Sequence, residues 1–385
     1  MGGGPPQDKE HILCFSPFQE DKSITDSIRR KHPNVSFTYR EAFYKKGKPL
    51  DTHIPDGIIS FPIFPYSSSR SLTDNFAELL RDATILVTLF KLPEPKQAKN
   101  LKFIHLFSAG ADRLPETPIW KETDIPFTNS SGVHGPQISE WVILQILSAS
   151  HKQKVMVEWQ KKHIWGEPSE LGSIRDSVGQ RLGVLGYGAI GRQTGRIAKA
   201  LGLDVIAYTA SPRNTPESKK DRGYIVPGTG DPDGVIPSEW YSGLDKASLH
   251  NFLSQDIDIL LVSVPLTPQT RHFLAAEEFA ILGKKNAFIV NIARGAIIQQ
   301  DDLITALKKG EEEGGLRGAA LDVTDPEPLP ADSELWDLKN VAITPHVSGL
   351  GTLYVQRSFE ILERNLTRLE DGDKLINVVD RKKGY

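Results

Sequence analysis

Arg181-Leu-Gly-Val-Leu-Gly-Tyr-Gly-Ala-Ile-Gly-Arg192 is the stretch whose reading decides the fold. It places Gly186, Gly188 and Gly191 in G-x-G-x-x-G order, a pattern that carries weight only between a strand and a helix. Both neighbours are present. Leu182 to Leu185 is an apolar run suited to a buried parallel strand, and Ile190, Thr194, Ile197, Ala198 and Leu201 recur at helical spacing until Gly202 supplies a C-cap. On this reading Gly186 permits the tight turn, Gly188 lets a pyrophosphate approach the backbone, and Gly191 lets helix and strand pack closely. The helix N-terminus at Ala189 and Ile190 then offers its N–H groups to the phosphates.

The length of 385 residues is enough for two cores, and 39% hydrophobic with 25% charged residues is a soluble globular composition. A net charge of -3 and a pI near 6.4 give no overall basic field for nucleic acid or an anionic membrane. Cys14 is the single cysteine, which excludes an intramolecular disulfide, and its apolar surroundings predict a core residue. No apolar run reaches the roughly 18 residues of a membrane span. Pro6 breaks a myristoylation signal, the C-terminal tripeptide is not peroxisomal, and no signal peptide accompanies the sequons at Asn34, Asn129 and Asn365. The expected compartment is the cytoplasm. Lys152, Lys154, Lys161 and Lys162, and the tail Arg381 to Lys383, are expected to be solvated.

Outward from the glycine turn, the chain alternates apolar runs with helical segments. Residues 1 to about 9 read as disordered. Ile12 to Phe15, Ser36 to Tyr39, Thr84 to Phe90 and Phe103 to Phe107 read as strands, Ser71 to Asp82 as a helix, and Phe61 to Arg70 as a loop. Phe107-Ser-Ala-Gly-Ala-Asp112 is a small-residue turn at a strand's carboxyl end, suited to presenting backbone N–H groups to a carboxylate. A helix starts at Pro136 and its pattern runs to about Trp165; apolar on more than one side, it is a candidate dimer contact. From Arg181 the strands resume at Val205 to Thr209, Ile257 to Pro265, Ala287 to Ile292, Gly318 to Val323 and Val341 to Thr344, with helices at Phe279 to Leu282 and Asp302 to Lys309. That predicts a six-strand dinucleotide-binding domain. Pro212 to Ser248 is more loop than such a domain needs. Leu353 to Leu369 reads as a helix whose continuation, Leu375 to Val379, could return a strand to the first domain.

The predicted class is therefore α/β with two Rossmann-like, parallel-sheet domains. Residues 133–351 form the NAD(P)-binding domain, inserted into a discontinuous flavodoxin-like substrate domain of residues 10–132 and 352–385. Three charged residues follow strands in the inserted domain: Arg294, Glu327 and His346. Positions just past the carboxyl ends of parallel strands line the ligand crevice, so these side chains can converge though distant in sequence.

Together, the fingerprint, Asn291-Ile-Ala-Arg-Gly295, Leu321-Asp-Val-Thr-Asp-Pro-Glu-Pro328, Thr344-Pro-His346 and Leu266-Thr-Pro-Gln-Thr-Arg-His272 resemble the D-isomer-specific 2-hydroxyacid dehydrogenase family from about residue 80 onward. The resemblance implies that Arg294 pairs with a substrate carboxylate and polarises its carbonyl, that His346 donates the proton as hydride arrives, and that Glu327 orients His346. It implies that Ala109 and Gly110 give backbone N–H groups to the carboxylate and that Asp322 faces the nicotinamide carboxamide. Val264, Pro265, Thr270, Ile292 and Ala293 would line the cofactor cleft. It further implies a homodimer and no metal.

One departure bears on the cofactor. Members that prefer NAD carry an Asp at the end of the second strand to bind the ribose 2′-hydroxyl, where this chain has Thr209. With that carboxylate gone, Ser211 and Arg213 can hold a 2′-phosphate, so NADP(H) is expected over NAD(H). Trp240 or Tyr241, later in the long connection, are candidates to cover the adenine. The expected activity is reduction of a small 2-oxo acid of the glyoxylate or hydroxypyruvate type to the D-2-hydroxy acid. The alternatives are a bulkier aliphatic or aromatic substrate, or a dinucleotide-sensing scaffold like the C-terminal-binding-protein corepressors, which resemble the same family.

Overall fold

The run from Ile12 to Cys14 is wholly buried, and the strand that contains it lies inside a parallel sheet. In the computed structural model, residues 10–41, 76–89 and 91–385 are described; the expected disorder of residues 1–9, the loop at 61–70, the first residues of the 71–82 helix and Phe90 lie outside them. The chain divides into two units, residues 1–133 with 351–385, and residues 134–350. Elements are numbered in chain order.

The first unit contains β1 (Glu10–Ser16), α1 (Lys22–Lys31), β2 (Val35–Glu41), α2 (Phe76–Leu79), β3 (Ile85–Thr88), β4 (Phe103–Leu106), α3 (Pro118–Glu122) and β5 (Phe127–Thr128). Its sheet runs β2-β1-β3-β4-β5, all parallel, which is the flavodoxin-like order. Every residue of β3 and β4 is buried, as a parallel strand covered on both faces requires. Leu13, Leu86, Ile104, Phe76 and Ile119 are among the side chains that fill one side; each contributes about 1.5–3 kcal/mol by leaving water. Cys14 is buried and free, and burial pushes its thiol up.

The sequence reading overlooked α1. Its apolar content is only Ile24 and Ile28, but Asp21 caps it by accepting from Ser23 N at 2.9 Å. The segment Leu375 to Val379 does not form the strand expected of it. It makes a single antiparallel bridge, Val378 to Thr128, because Asn377 turns to φ 55° and spends its amide on the carbonyls of Asn129 and Ser131.

The second unit comprises α4 (Gly135–Ser150), α5 (Gln153–Lys161), β6 (Arg181–Leu185), α6 (Ala189–Ala200), β7 (Asp204–Thr209), α7 (Pro216–Lys219), β8 (Glu239–Ser242), α8 (Lys246–Leu253), β9 (Ile259–Val262), α9 (Ala276–Gly283), β10 (Phe288–Asn291), α10 (Gln300–Lys309), β11 (Gly318–Leu321) and β12 (Val341–Ile343). The chain then re-enters the first unit as α11 (Tyr354–Glu370). The sheet has seven parallel strands in the order β12-β11-β10-β9-β6-β7-β8, so its strand order reverses between β6 and β9. Ile138, Val142 and Ile146 of α4 and Ala198 of α6 cover one face, and residues of α8, α9 and α10 cover the other.

Two expectations are corrected in this unit. The helix from Pro136 does not continue to Trp165: Lys152 takes φ 55° and separates α4 from α5. The sheet gains β8 as a seventh strand, paired with β7 inside the segment read as loop. Lys154 is exposed, as expected, and its Nζ donates to Val341 O on β12. Among the described residues, no helix is long and apolar enough to cross a membrane.

Candidate functional site

The turn between β6 and α6 is built by approach distances. Gly186 has φ +104°, and a β-carbon on it would lie 2.7 Å from the Ser263 carbonyl carbon at the end of β9. On Gly191, a β-carbon would meet Gly186 O and Val184 Cγ1 at 2.7 Å. At Gly188 it would meet nothing within 4 Å, so backbone is bare on that side. The first bond of α6 is Arg192 N to Gly188 O at 2.8 Å, which leaves the N–H groups of Ala189, Ile190 and Gly191 ahead of any helical acceptor. Open space beside Gly188 and donors at a helix N-terminus fit a dinucleotide pyrophosphate. Ser263, which the sequence reading passed over, steadies the turn by donating from Oγ to Gly186 O at 2.8 Å.

At the end of β7, Thr209 donates to Ser211 O at 2.8 Å and Ser211 is exposed. Arg213 turns instead into a cavity of about 560 Å³ that it shares with Gly188, Arg192, Glu217, Lys220 and Arg222. Its Nη1 donates to Ser218 O at 2.6 Å, while its Nε is buried without a partner. Thus Arg213 and Gly188 meet at one cavity, and Thr209 and Ser211 are not among its lining. The three further cations were not legible because they lie in the long connection or on the far side of the α6 turn.

That connection is fastened to α6. The Asp231 carboxylate accepts from Tyr187 Oη at 2.9 Å and from Val235 N and Ile236 N at 3.0 and 3.1 Å. Buried Arg192 donates to Asp231 O and, at 2.6 Å, to Lys219 O. Desolvation raises the Tyr187 phenol, and the Asp231 charge adds to the rise. Trp240 and Tyr241, the candidates to cover the adenine, lie in β8. Trp240 stands edge-on to Tyr187 at 5.1 Å, and Tyr241 packs on Phe252 at 5.7 Å, so both rings are used in packing the sheet.

The three charged residues follow β10, β11 and β12. Asn291 shapes the first of these turns, accepting from Ala293 N at 3.1 Å and donating to Arg294 O at 3.2 Å, and Arg294 is half-buried. His346 takes φ 55° and its Nδ1 is 2.7 Å from Glu327 Oε1, so this pair expected from the sequence is brought together. With Nδ1 held by a carboxylate, Nε2 is the nitrogen left to exchange a proton.

Asp322 is not placed as expected. It is 2% exposed, and its two oxygens accept from Thr344 Oγ1 at 2.5 Å, Val347 N at 2.9 Å, Ser348 N at 3.0 Å and Ser348 Oγ at 2.5 Å. Four donors fill a carboxylate, so Asp322 holds the histidine loop instead of facing a carboxamide. Thr270 differs likewise: its hydroxyl donates to Pro265 O at 2.6 Å and closes the loop after β9. Val264 is half-buried and Pro265 exposed at that strand's end, whereas Ile292 and Ala293 are 7% and 8% exposed. One His/acid group, His250 with Glu277 and Glu278, lies elsewhere in this unit, and Lys246 Nζ stands 2.8 Å from Glu278, filling it with a fixed positive charge.

In the first unit, Ala109 and Gly110 follow β4. Ser130 N donates to Ser108 O at 3.0 Å and Asn129 Nδ2 to Ala109 O at 2.8 Å. In a trans peptide the N–H opposes the C=O, so these bonds turn the N–H groups of Ala109 and Gly110 away from β5, and no described residue accepts from them. Asn129 is a further residue that the sequence reading missed.

The family model described as "D-isomer specific 2-hydroxyacid dehydrogenase, NAD binding domain" matches residues 143–227 and 234–348. A D-3-phosphoglycerate dehydrogenase of Methanocaldococcus jannaschii is 31% identical over 314 residues, 80% of this chain and 53% of that one. A hydroxypyruvate reductase of Blautia hydrogenotrophica is 29% identical over 326 residues, 81% of this chain and 90% of the relative. The crystal structure of an NADPH-dependent glyoxylate/hydroxypyruvate reductase from Sinorhizobium meliloti, in complex with NADP and sulfate, has the same fold at a TM-score of 0.69 and 24% identity, over 98% of this chain and all of that one. With the dinucleotide turn and the His346–Glu327 pair on one sheet, the chain belongs to the D-isomer specific 2-hydroxyacid dehydrogenase family of NAD(P)-dependent oxidoreductases.

Proposed function

We propose that this chain reduces a small 2-oxo acid to the D-2-hydroxy acid with NADPH. The observation that carries the reading is the His346–Glu327 pair at 2.7 Å, beyond the strands of the sheet that holds the dinucleotide turn. When bound, the nicotinamide supplies a hydride to the carbonyl carbon. His346 supplies the proton from Nε2 to the carbonyl oxygen, and Glu327 holds the ring at Nδ1. Arg294, planar and permanently charged, binds the carboxylate and draws electron density to the carbonyl oxygen. The N–H groups of Ala109 and Gly110 bind the carboxylate as well. Glyoxylate and hydroxypyruvate are the favoured substrates, in keeping with the names of the relatives above.

NADPH is favoured over NADH because the Arg213 cavity holds four cationic side chains, Arg192, Arg213, Lys220 and Arg222, against Glu217 and Asp221. An unpaired buried guanidinium N–H beside Gly188 suits a 2′-phosphate. A homodimer is supported by apolar side chains left exposed on and after α4 and α5: Leu144, Val155, Met156, Val157, Ile164 and Trp165. The cytoplasm is the proposed compartment.

The test is absorbance at the reduced nicotinamide band with NADPH and NADH against glyoxylate, hydroxypyruvate, pyruvate, 2-oxoisocaproate and phenylglyoxylate. Turnover of about 1 per second or more is expected. His346→Gln is expected to lower kcat by about 10²–10⁴-fold. Tight dinucleotide binding without turnover of any of the five acids would favour a dinucleotide-sensing scaffold.

A further inference from the structure

Five consecutive carbonyl oxygens beyond the middle of β4, from Leu106 to Gly110, each accept a hydrogen bond. Ser130 Oγ donates to Leu106 O at 2.9 Å, Tyr354 Oη to Phe107 O, and Ser130 N to Ser108 O at 3.0 Å. Asn129 Nδ2 donates to Ala109 O at 2.8 Å and Ser108 Oγ to Gly110 O at 2.9 Å. Each trans peptide then has its N–H fixed on the opposite side. A backbone held at every residue presents its donors without further ordering.

Part of this row is held from α11, within the same unit. Tyr354, in its first turn, is 4% exposed and reaches Phe107 across 247 residues of sequence. Its ring stands edge-on to Phe18 at 5.8 Å. One turn on, Ser358 Oγ lies 2.7 Å from Ser130 Oγ and 3.3 Å from His105 Nε2, and His105 Nδ1 lies 2.9 Å from Thr128 Oγ1. Ser130, Ser358, His105 and Thr128 are all 0% exposed. A buried polar network of this kind fixes geometry only when every member is paired, and here each has a partner.

We propose that Tyr354 and Ser358 are positioning residues for substrate binding: acting through Phe107 and Ser130, they hold the N–H groups of Ala109 and Gly110 in the orientation that receives a carboxylate. This rests on the reading of those N–H groups as carboxylate donors. The inference concerns how tightly the acid is held, and leaves hydride and proton transfer untouched.

The experiment compares wild type, Tyr354→Phe, Ser358→Ala and the control Tyr208→Phe, whose buried hydroxyl in the other unit has no partner. KM for glyoxylate, KM for NADPH, kcat and Tm are measured, with calorimetric titration of oxamate, an unreactive carboxylate, onto the protein with its nicotinamide cofactor. Tyr354→Phe is expected to raise the glyoxylate KM and the oxamate Kd together by about tenfold, with the NADPH KM unchanged. Ser358→Ala should move both in the same direction by a smaller factor, and Tyr208→Phe should move neither. A fall in Tm with glyoxylate KM and oxamate Kd within twofold of wild type in both variants would overturn the inference while leaving the proposed reaction standing. Wild-type protein that neither reduces glyoxylate nor binds oxamate would overturn both.

Discussion

Gly295 lies against Thr324: a β-carbon on Gly295 would sit 2.0 Å from the Thr324 carbonyl carbon and oxygen. The turn after β10, which carries Arg294, and the loop after β11, which carries Glu327, are therefore backbone to backbone. Gly295→Ala should force them apart. A loss of about 2 kcal/mol or more is expected, or a fall in Tm of about 4–8 °C, together with lost turnover; differential scanning calorimetry and the absorbance assay check both.

Arg213 offers the cleanest handle on cofactor choice, because Ser218 O occupies one of its nitrogens and leaves Nε unpaired. Arg213→Ala is expected to raise the NADPH KM by about 10–100-fold and to leave the NADH KM within about threefold. An equal rise for both nucleotides would place Arg213 in general loop structure and remove the basis for the NADP(H) preference.

His105 should make stability depend on pH. Burial lowers its pKa from 6.5 to about 4, so the folded state keeps it neutral while the unfolded chain is free to protonate. Its contribution is complete above about pH 6.5 and is lost as the pH falls toward 4, to a maximum of about 3 kcal/mol. Urea denaturation at pH 7, 6 and 5 should show wild type losing stability faster than His105→Asn over that window. Parallel pH dependences would refute this assignment.

Leu144→Glu, on α4, tests the homodimer. Leu144 is 55% exposed in the single chain, and a charge there should cost little unless a second copy covers it. Light scattering after size exclusion is expected to give about twice 42.7 kDa for the wild type and the single-chain mass for the variant.

The parts legible in the sequence are those with a local physical cause. Gly191 is demanded by approach distances within one strand-turn-helix unit and Gly186 by its positive φ at the turn, so their spacing announces the turn. The buried strands announce themselves as apolar runs, and Arg294, Glu327 and His346 stand directly beyond them. By contrast β8, Glu239-Trp-Tyr-Ser242, is short with polar ends and shows no period until β7 lies beside it. Asp322 was misread because an acid after a strand can face a ligand or the next loop, and only the positions of Thr344, Val347 and Ser348 decide. Asn129 and Tyr354 act on backbone carbonyls, which leave no trace in residue type.

The two edges of the seven-stranded sheet limit how copies of the chain can aggregate. β8, at one edge, is four residues long, follows Pro237 and carries exposed Glu239. β12, at the other, is three residues long, and Lys154 has already taken the Val341 carbonyl. A short strand bordered by proline or charge, or with an outward carbonyl occupied, is a poor template for another chain's backbone. Cross-β growth from either edge of this sheet is therefore disfavoured even at high protein concentration.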